Sequence, residues 1–164
     1  MMSSIFYVVV LIVLMMIGGF ISPIVLNLGG LLGGLISMKP SSEQRRDFLW
    51  ILGLVVTLIG QCFVALAWVA LIITYVRYAS SQPNVWSWLL WIVGSFTAIS
   101  LTSAASRATL QEERADFEYA EKAKFNVQHI AVPITGIIGV IAFFLFAFVP
   151  SVMSSLYGWL PYVE

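Results

Sequence analysis

The stretch IFYVVVLIVLMMIGGFISPIVLNLGGLLGGLIS, residues Ile5–Ser37, runs for 33 positions without a charged side chain. About 20 helical residues are enough to cross a hydrocarbon core about 30 Å thick, so this segment is long enough to span a membrane. Lipid offers no water to pair with main-chain N–H and C=O groups, and a lone spanning segment must therefore be helical. This one segment points to a helical membrane protein.

The rest of the chain repeats the pattern three times. The further apolar segments are Phe48–Val76, Val85–Ser106 and Val127–Val149. Composition agrees, because the 164 residues are 60% hydrophobic and only 10% charged, with a mean hydropathy of +0.98. A soluble domain typically has about 25% charged residues. We predict an all-α integral membrane protein whose four transmembrane helices form a single membrane domain over residues 1–164.

Basic residues lie almost entirely in two of the three connections. Those in the first connection are Lys39, Arg45 and Arg46, and those in the third are Arg107, Arg114, Lys122 and Lys124. The positive-inside rule places both connections in the cytoplasm, and hence both termini on the non-cytoplasmic side. The first segment follows no positive n-region and exceeds a signal-peptide h-region, so we expect it to remain in the mature protein. The expected location is a bacterial inner (plasma) membrane.

The third connection, residues 107–126, has no glycine or proline and is rich in good helix formers. It is therefore predicted to extend the third helix into the cytoplasm as a helical arm. Leu110, Phe117 and Tyr119 are apolar or aromatic side chains on this charged arm. They either fold back onto the base of the bundle or dock a partner protein.

Glycines in the first segment recur at a spacing typical of membrane helix packing. Gly29 with Gly33 and Gly30 with Gly34 form two overlapping G-x-x-x-G pairs. Small residues at this spacing let two helix backbones approach closely in lipid. A phosphate-binding loop would instead need a preceding strand and a following Lys and Ser or Thr, which are missing here. Further predicted packing positions are Gly53, Gly60, Gly94 and Ala98.

The first segment also contains helix-weakening residues near its middle. Gly18, Gly19 and Pro23 lie within a helix that would be about 50 Å long. Proline removes a main-chain hydrogen bond and crowds the preceding turn. A kink or a break is therefore predicted there, and a broken segment would turn back as two shorter helices.

Three polar residues within or beside the spans are candidate contacts. Gln61 either bonds a neighbouring helix or lines a pore. Arg77 either extends to the outer headgroups or attracts anions at a pore mouth. His129 either anchors the fourth span at the interface or makes a pH-sensitive contact.

The sequence offers little for catalysis. His129 is the only histidine and Cys62 the only cysteine, so one chain supplies neither a bis-histidine haem site nor a multi-cysteine metal cluster. No Asp or Glu lies inside a span, which argues against a carboxylate proton relay. We predict no catalytic residues, cofactor or metal, and the zero net charge gives no indication of nucleic-acid binding.

The resulting hypothesis is a non-catalytic, polytopic membrane subunit. It would assemble through small-residue helix faces with other subunits or copies of itself, and would position a cytoplasmic partner at the arm. One alternative is a homo-oligomeric channel or membrane-integrity sensor, with Gln61 and Thr57 facing a shared axis. Another is an auxiliary subunit of a secondary transporter, for which a broken first helix would have a precedent.

Overall fold

The computed structural model describes residues 2–37, 43–116 and 127–158. Within these ranges it describes the surroundings of the side chains of residues 4–22, 48, 51–101 and 131–158. The described residues form helices and short connections, with no strand. The helices are α1 (Met2–Ser37), α2 (Glu43–Ser80), α3 (Ser87–Asp116), α4 (Val127–Phe148) and α5 (Pro150–Tyr157).

Three stretches are long and apolar enough to cross a membrane, namely Ser4–Ser22, Ile51–Ser80 and Ala131–Phe148, as judged over the described residues. A shorter apolar stretch, Ser87–Leu101, begins α3. The predicted all-helical architecture is confirmed, and three helices have the length and composition of a span. The fourth span and the sidedness of the termini stay predictions.

The helices pack as a bundle in which α2 and α3 lie between the other two. α1 packs against α3 and α2, and α4 packs against α2 and α3, whereas α1 and α4 share little contact. The core lies where these helices meet. Its largest fully buried apolar side chains are Leu11, Ile72, Ile73, Leu90, Phe146 and Met153.

The exterior of the bundle is bulky and apolar. Phe20 and Phe148 are 75% and 78% exposed, and Phe63 and Phe96 are similarly uncovered. Patches of this extent are unusual on a monomeric soluble protein. Small and hydroxyl-bearing side chains, by contrast, lie at the helix contacts. This distribution is typical of helices that associate within lipid.

The first helix is continuous, contrary to one expectation. α1 runs without interruption from Met2 to Ser37, about 54 Å at 1.5 Å per residue. Of the two predicted outcomes at Gly18, Gly19 and Pro23, a break into two shorter helices is therefore wrong, and a kink stays a prediction. Neighbouring helices stabilise prolines and glycines within membrane helices, and Gly18 lies directly against side chains of α2 and α3.

The start of α1 meets the connection between α2 and α3. The Ser4 hydroxyl donates to the carbonyl oxygen of Asn84 (3.2 Å) and accepts from the main-chain N–H of Trp86 (3.3 Å). Asn84 has φ 62°, a left-handed conformation that Asn tolerates better than most residues. We call this the loop end of the bundle. At the opposite, charged end lie the polar start of α2 and the polar last turns of α3.

Candidate functional site

Two clusters, each centred on buried polar side chains, lie where the helices meet. The first, the Thr97 cluster, comprises Gly18 and Ser22 of α1, Trp68 of α2, and Thr97 and Ser100 of α3. The second, the Gln61 cluster, comprises Thr57 and Gln61 of α2 and Thr135 of α4. Between them they involve all four long helices.

Thr97 connects three helices through both its hydroxyl and its carbonyl group. Its hydroxyl donates to the carbonyl oxygen of Val93 (2.9 Å), one turn earlier, and to that of Leu11 on α1 (3.2 Å). Its own carbonyl oxygen accepts from the indole N–H of Trp68 on α2 (3.1 Å) and from the hydroxyl of Ser100 (2.6 Å). Polar groups buried away from water need such partners, so Thr97 fixes the register of α1, α2 and α3.

Gly18 lets α1 approach this cluster. A Cβ added at Gly18 would lie 2.8 Å from Ser100 Oγ and 2.8 Å from Trp68 Cζ2, closer than normal contact. One turn along α1, the hydroxyl of Ser22 donates to the carbonyl oxygen of Leu101. Gly18 is thus a close-packing glycine, although the sequence had indicated it as a helix breaker.

Two of the predicted packing residues on α3 lie in the interior. A Cβ added at Gly94 would lie 2.6 Å from Val76 Cγ2, so α2 and α3 are in close contact there. Ala98, one turn further, is buried. Both residues face other helices of the same chain.

The two predicted packing glycines of α2 differ in burial. Gly53 is buried on the same helical face as Thr57, Gln61 and Ala65. Gly60 is exposed, and a Cβ added there would meet nothing within 4 Å. The buried face therefore follows a four-residue spacing, and Gly60 makes no close helix contact within this chain.

Gln61 points into the α2–α4 contact. The Thr135 hydroxyl donates both to Gln61 Oε1 (3.2 Å) and to the carbonyl oxygen of Ala131 (2.8 Å). Thr57, Gln61 and Thr135 are 1%, 2% and 1% exposed. The bond between Gln61 and Thr135 joins two helices of one chain.

Arg77 lies at the loop end, and its guanidinium Nη2 donates to the carbonyl oxygen of Phe146 (2.9 Å). Within α4 that carbonyl would be paired by the N–H of residue 150, but Pro150 has none. Arg77 therefore supplies a donor where the helix cannot. Its positive charge also lies near the C-terminus of α4, where the helix dipole favours a cation.

The short helix α5 follows directly. Pro150 occupies its first turn, a position that suits proline because its missing N–H would be unpaired there anyway. Met153 is fully buried, and the Tyr157 ring meets Phe146 edge-on at 6.0 Å between centroids. Burial raises the pKa of the Tyr157 hydroxyl above its ordinary value.

An apolar groove opens between α3 and α4, with a volume of about 390 Å³. It is lined by Trp91, Ile92, Ser95, Phe143, Phe144, Ala147 and Phe148. Its one hydroxyl, that of Ser95, donates to the carbonyl oxygen of Ile92 (2.7 Å). The groove contains no titratable or nucleophilic group suited to catalysis.

Several predicted site residues have surroundings that are not described. Gly29, Gly30, Gly33 and Gly34 lie in α1, Leu110 in α3 and His129 in α4. Phe117 and Tyr119 lie outside the described residues, as does the second half of the predicted arm. Over the part of the chain that is described, no group of three or more His, Cys, Asp or Glu side chains could hold a metal ion.

Five residues of these contacts were not among the site residues predicted from the sequence: Ser4, Ser22, Trp68, Thr97 and Ser100. A usable signal was present, because each carries a hydrogen-bonding group within or beside an apolar segment. Such groups must find a partner in the bundle. What the sequence does not show is which helix supplies the partner.

Comparison with known proteins returned no matching family model, no matching curated protein and no matching solved structure.

Proposed function

We propose that this protein is a non-catalytic subunit of a membrane complex. Its four long helices would form the membrane anchor, and its charged end would position a partner protein. The observation that carries the proposal is the continuity of α3, which runs as one helix from Ser87 to Asp116. Its apolar segment ends at Ser106, so the ten residues 107–116, nearly three turns, continue in the same helix.

The beginning of α2 supports the same reading. α2 starts at Glu43, five residues before its apolar segment begins at Phe48. Those five residues include Arg45, Arg46 and Asp47. The direction of the chain brings the start of α2 and the end of α3 to the same end of the bundle. Two charged helical extensions at one end of the bundle would provide a surface suited to a water-soluble protein.

The buried polar contacts in the interior of the bundle favour an anchor over a pore. Thr57 and Gln61 are buried within one chain, so in this arrangement they do not face an axis shared by several copies. The Thr97 cluster likewise closes α1, α2 and α3 on one another. Side chains engaged in this way hold a fixed scaffold, which is what a positioning subunit requires.

The proposed setting is a bacterial inner membrane, with both termini outside and residues 107–126 in the cytoplasm. The lipid bilayer contacts the bulky exterior. Other membrane subunits or further copies of the chain contact small-residue positions that the bundle leaves uncovered, of which exposed Gly60 is one.

A triple alanine variant of Leu110, Phe117 and Tyr119 tests the docking surface. If these residues dock a partner, the variant keeps its melting temperature and loses the co-purifying protein. A charge-balanced control replaces Gln111, Glu113 and Lys122 with Ala on the same arm. A lower melting temperature with partners retained would assign the three residues to folding, and no change in either assay would leave the arm a simple connector.

A further inference from the structure

The side-chain amide of Gln61 is only half satisfied. Its Oε1 accepts from Thr135, but Nε2 has no hydrogen-bond partner among the described residues. The residue is 2% exposed, so bulk solvent does not reach the amide. A buried N–H group that has lost its water and gained no partner destabilises the fold. Gln61 Nε2 therefore requires an acceptor.

The surroundings of Gln61 limit the size of that acceptor. Thr57 lies one turn before it and Ala65 one turn after it on α2, and both are buried. Across the contact, α4 presents Ala131 and Thr135, also fully covered. The burial of these four residues around the Gln61 side chain argues for a small acceptor rather than a solute of several heavy atoms.

We propose that Gln61 and Thr135 bind a single internal water molecule between α2 and α4. The water oxygen accepts from Gln61 Nε2, and the water donates to the hydroxyl oxygen of Thr135. That oxygen retains acceptor capacity while its hydrogen is donated to Ala131 and Gln61. Internal waters of this kind typically make about three hydrogen bonds to buried polar groups.

Gln61→Met distinguishes an Nε2 group that binds a water from one that has no partner. Gln61→Met keeps the length of the side chain and removes its donors and its acceptor. It does not leave Thr135 unpaired, since that hydroxyl still donates to Ala131 O. If a water satisfies Nε2, the variant loses the water-mediated bonds as well as the direct bond from Thr135, and the melting temperature falls by about 2–4 °C. If Nε2 is unpaired, its removal offsets the loss of the direct bond. An unchanged or raised melting temperature would overturn the proposal.

A second measurement uses the unmodified protein in phospholipid nanodiscs with ¹⁵N-labelled glutamine. The Gln61 amide signals are identified as those that disappear in Gln61→Met. We expect magnetisation transfer from water to these signals, although the side chain is buried. The Gln82 amide, in the loop end, serves as the hydrated control. Transfer to Gln82 without transfer to Gln61 would show that no water is bound there.

Discussion

Arg77 of α2 pairs with Phe146 of α4 across 2.9 Å, and it does so at the carbonyl that Pro150 leaves without a main-chain donor. This relationship accounts for an arginine that the distribution of positive charge would otherwise disfavour at the loop end. The guanidinium joins the last turns of two helices and completes the end of one of them. Its position is explained by helix termination.

Replacing Arg77 with Met should lower the free energy of unfolding by about 1.5–3 kcal/mol, the typical contribution of a hydrogen bond to a charged group. Arg77→Lys should be intermediate because it keeps the charge with a less well-directed donor. Thermal unfolding in nanodiscs provides the measurement. A melting temperature unchanged by Arg77→Met would contradict the capping role.

Pro150→Ala tests whether Arg77 replaces the main-chain donor that Pro150 cannot supply to the Phe146 carbonyl. Alanine restores an N–H that can pair with the Phe146 carbonyl once Val149 adopts a helical conformation. In the Arg77→Met background, this change should therefore recover part of the lost stability. In the native background Pro150→Ala should increase the stability less, because Arg77 already donates to the Phe146 carbonyl. Equal effects in both backgrounds would show that the two residues are not coupled.

Two adjacent glycines of α1 provide a matched pair. Gly18→Ala should destabilise the fold by about 1–3 kcal/mol, because the new Cβ would overlap Ser100 and Trp68. Gly19→Ala should be neutral or stabilising by up to about 1 kcal/mol, since nothing lies within 4 Å and alanine is the better helix former. The measurement is the melting temperature of the two variants in the same lipid. Equal decreases in melting temperature would refute the close contact at Gly18.

Gly94 and Gly60 separate packing within the chain from packing between chains. Gly94→Ala should destabilise the isolated chain, because its Cβ would lie 2.6 Å from Val76 Cγ2. Gly60→Leu should leave the isolated chain unaffected and weaken assembly if Gly60 contacts another subunit. Native mass measurement beside thermal unfolding distinguishes the two effects. Full assembly of Gly60→Leu would exclude Gly60 from any interface.

The paired glycines in the second half of α1 are predicted to form a close helix contact. Replacing Gly29 and Gly33 together with Leu should separate the backbones and weaken assembly. Leu26→Ala, a change in the bulkier part of the same helix, should have a smaller effect. An unchanged oligomer size and melting temperature of the double variant would rule out packing at these glycines.

Membrane sidedness can be tested by labelling introduced cysteines in a Cys62→Ala background. A cysteine at Glu113 should react with an impermeant maleimide only after the membrane is opened. A cysteine at Ser81, an exposed residue of the loop end, should react in intact cells. The opposite pattern would reverse the predicted topology.

The sequence was sufficient to predict where the long helices lie. Their bounds fall close to the apolar segments, because exclusion of charge from lipid is a strong, local signal. α2 and α3 extend beyond the apolar segments at the charged end, since helix formation does not stop where hydrophobicity does. The short helix α5 was missed, although Pro150 at its start was a readable signal.

The contacts between helices were harder to predict from the sequence. Gly60 and Gly53 are equally small, yet only Gly53 is buried, because rotation of a helix about its axis depends on its neighbours. Thr97 looked like an ordinary hydroxyl in an apolar helix. Its role arises from α1 and α2, which place Leu11 and Trp68 opposite it, and no local pattern in α3 encodes that placement.

The order in which the chain is synthesised gives the packing of α1 a further consequence. α1 leaves the ribosome first, but it packs extensively on α3, which begins about fifty residues after α1 ends. During that interval only α2 is available to it, and the carbonyl of Leu11 has yet to meet Thr97. If the four helices insert in chain order as proposed, an α1–α2 hairpin forms first, and Trp68 lacks its acceptor until α3 packs against both.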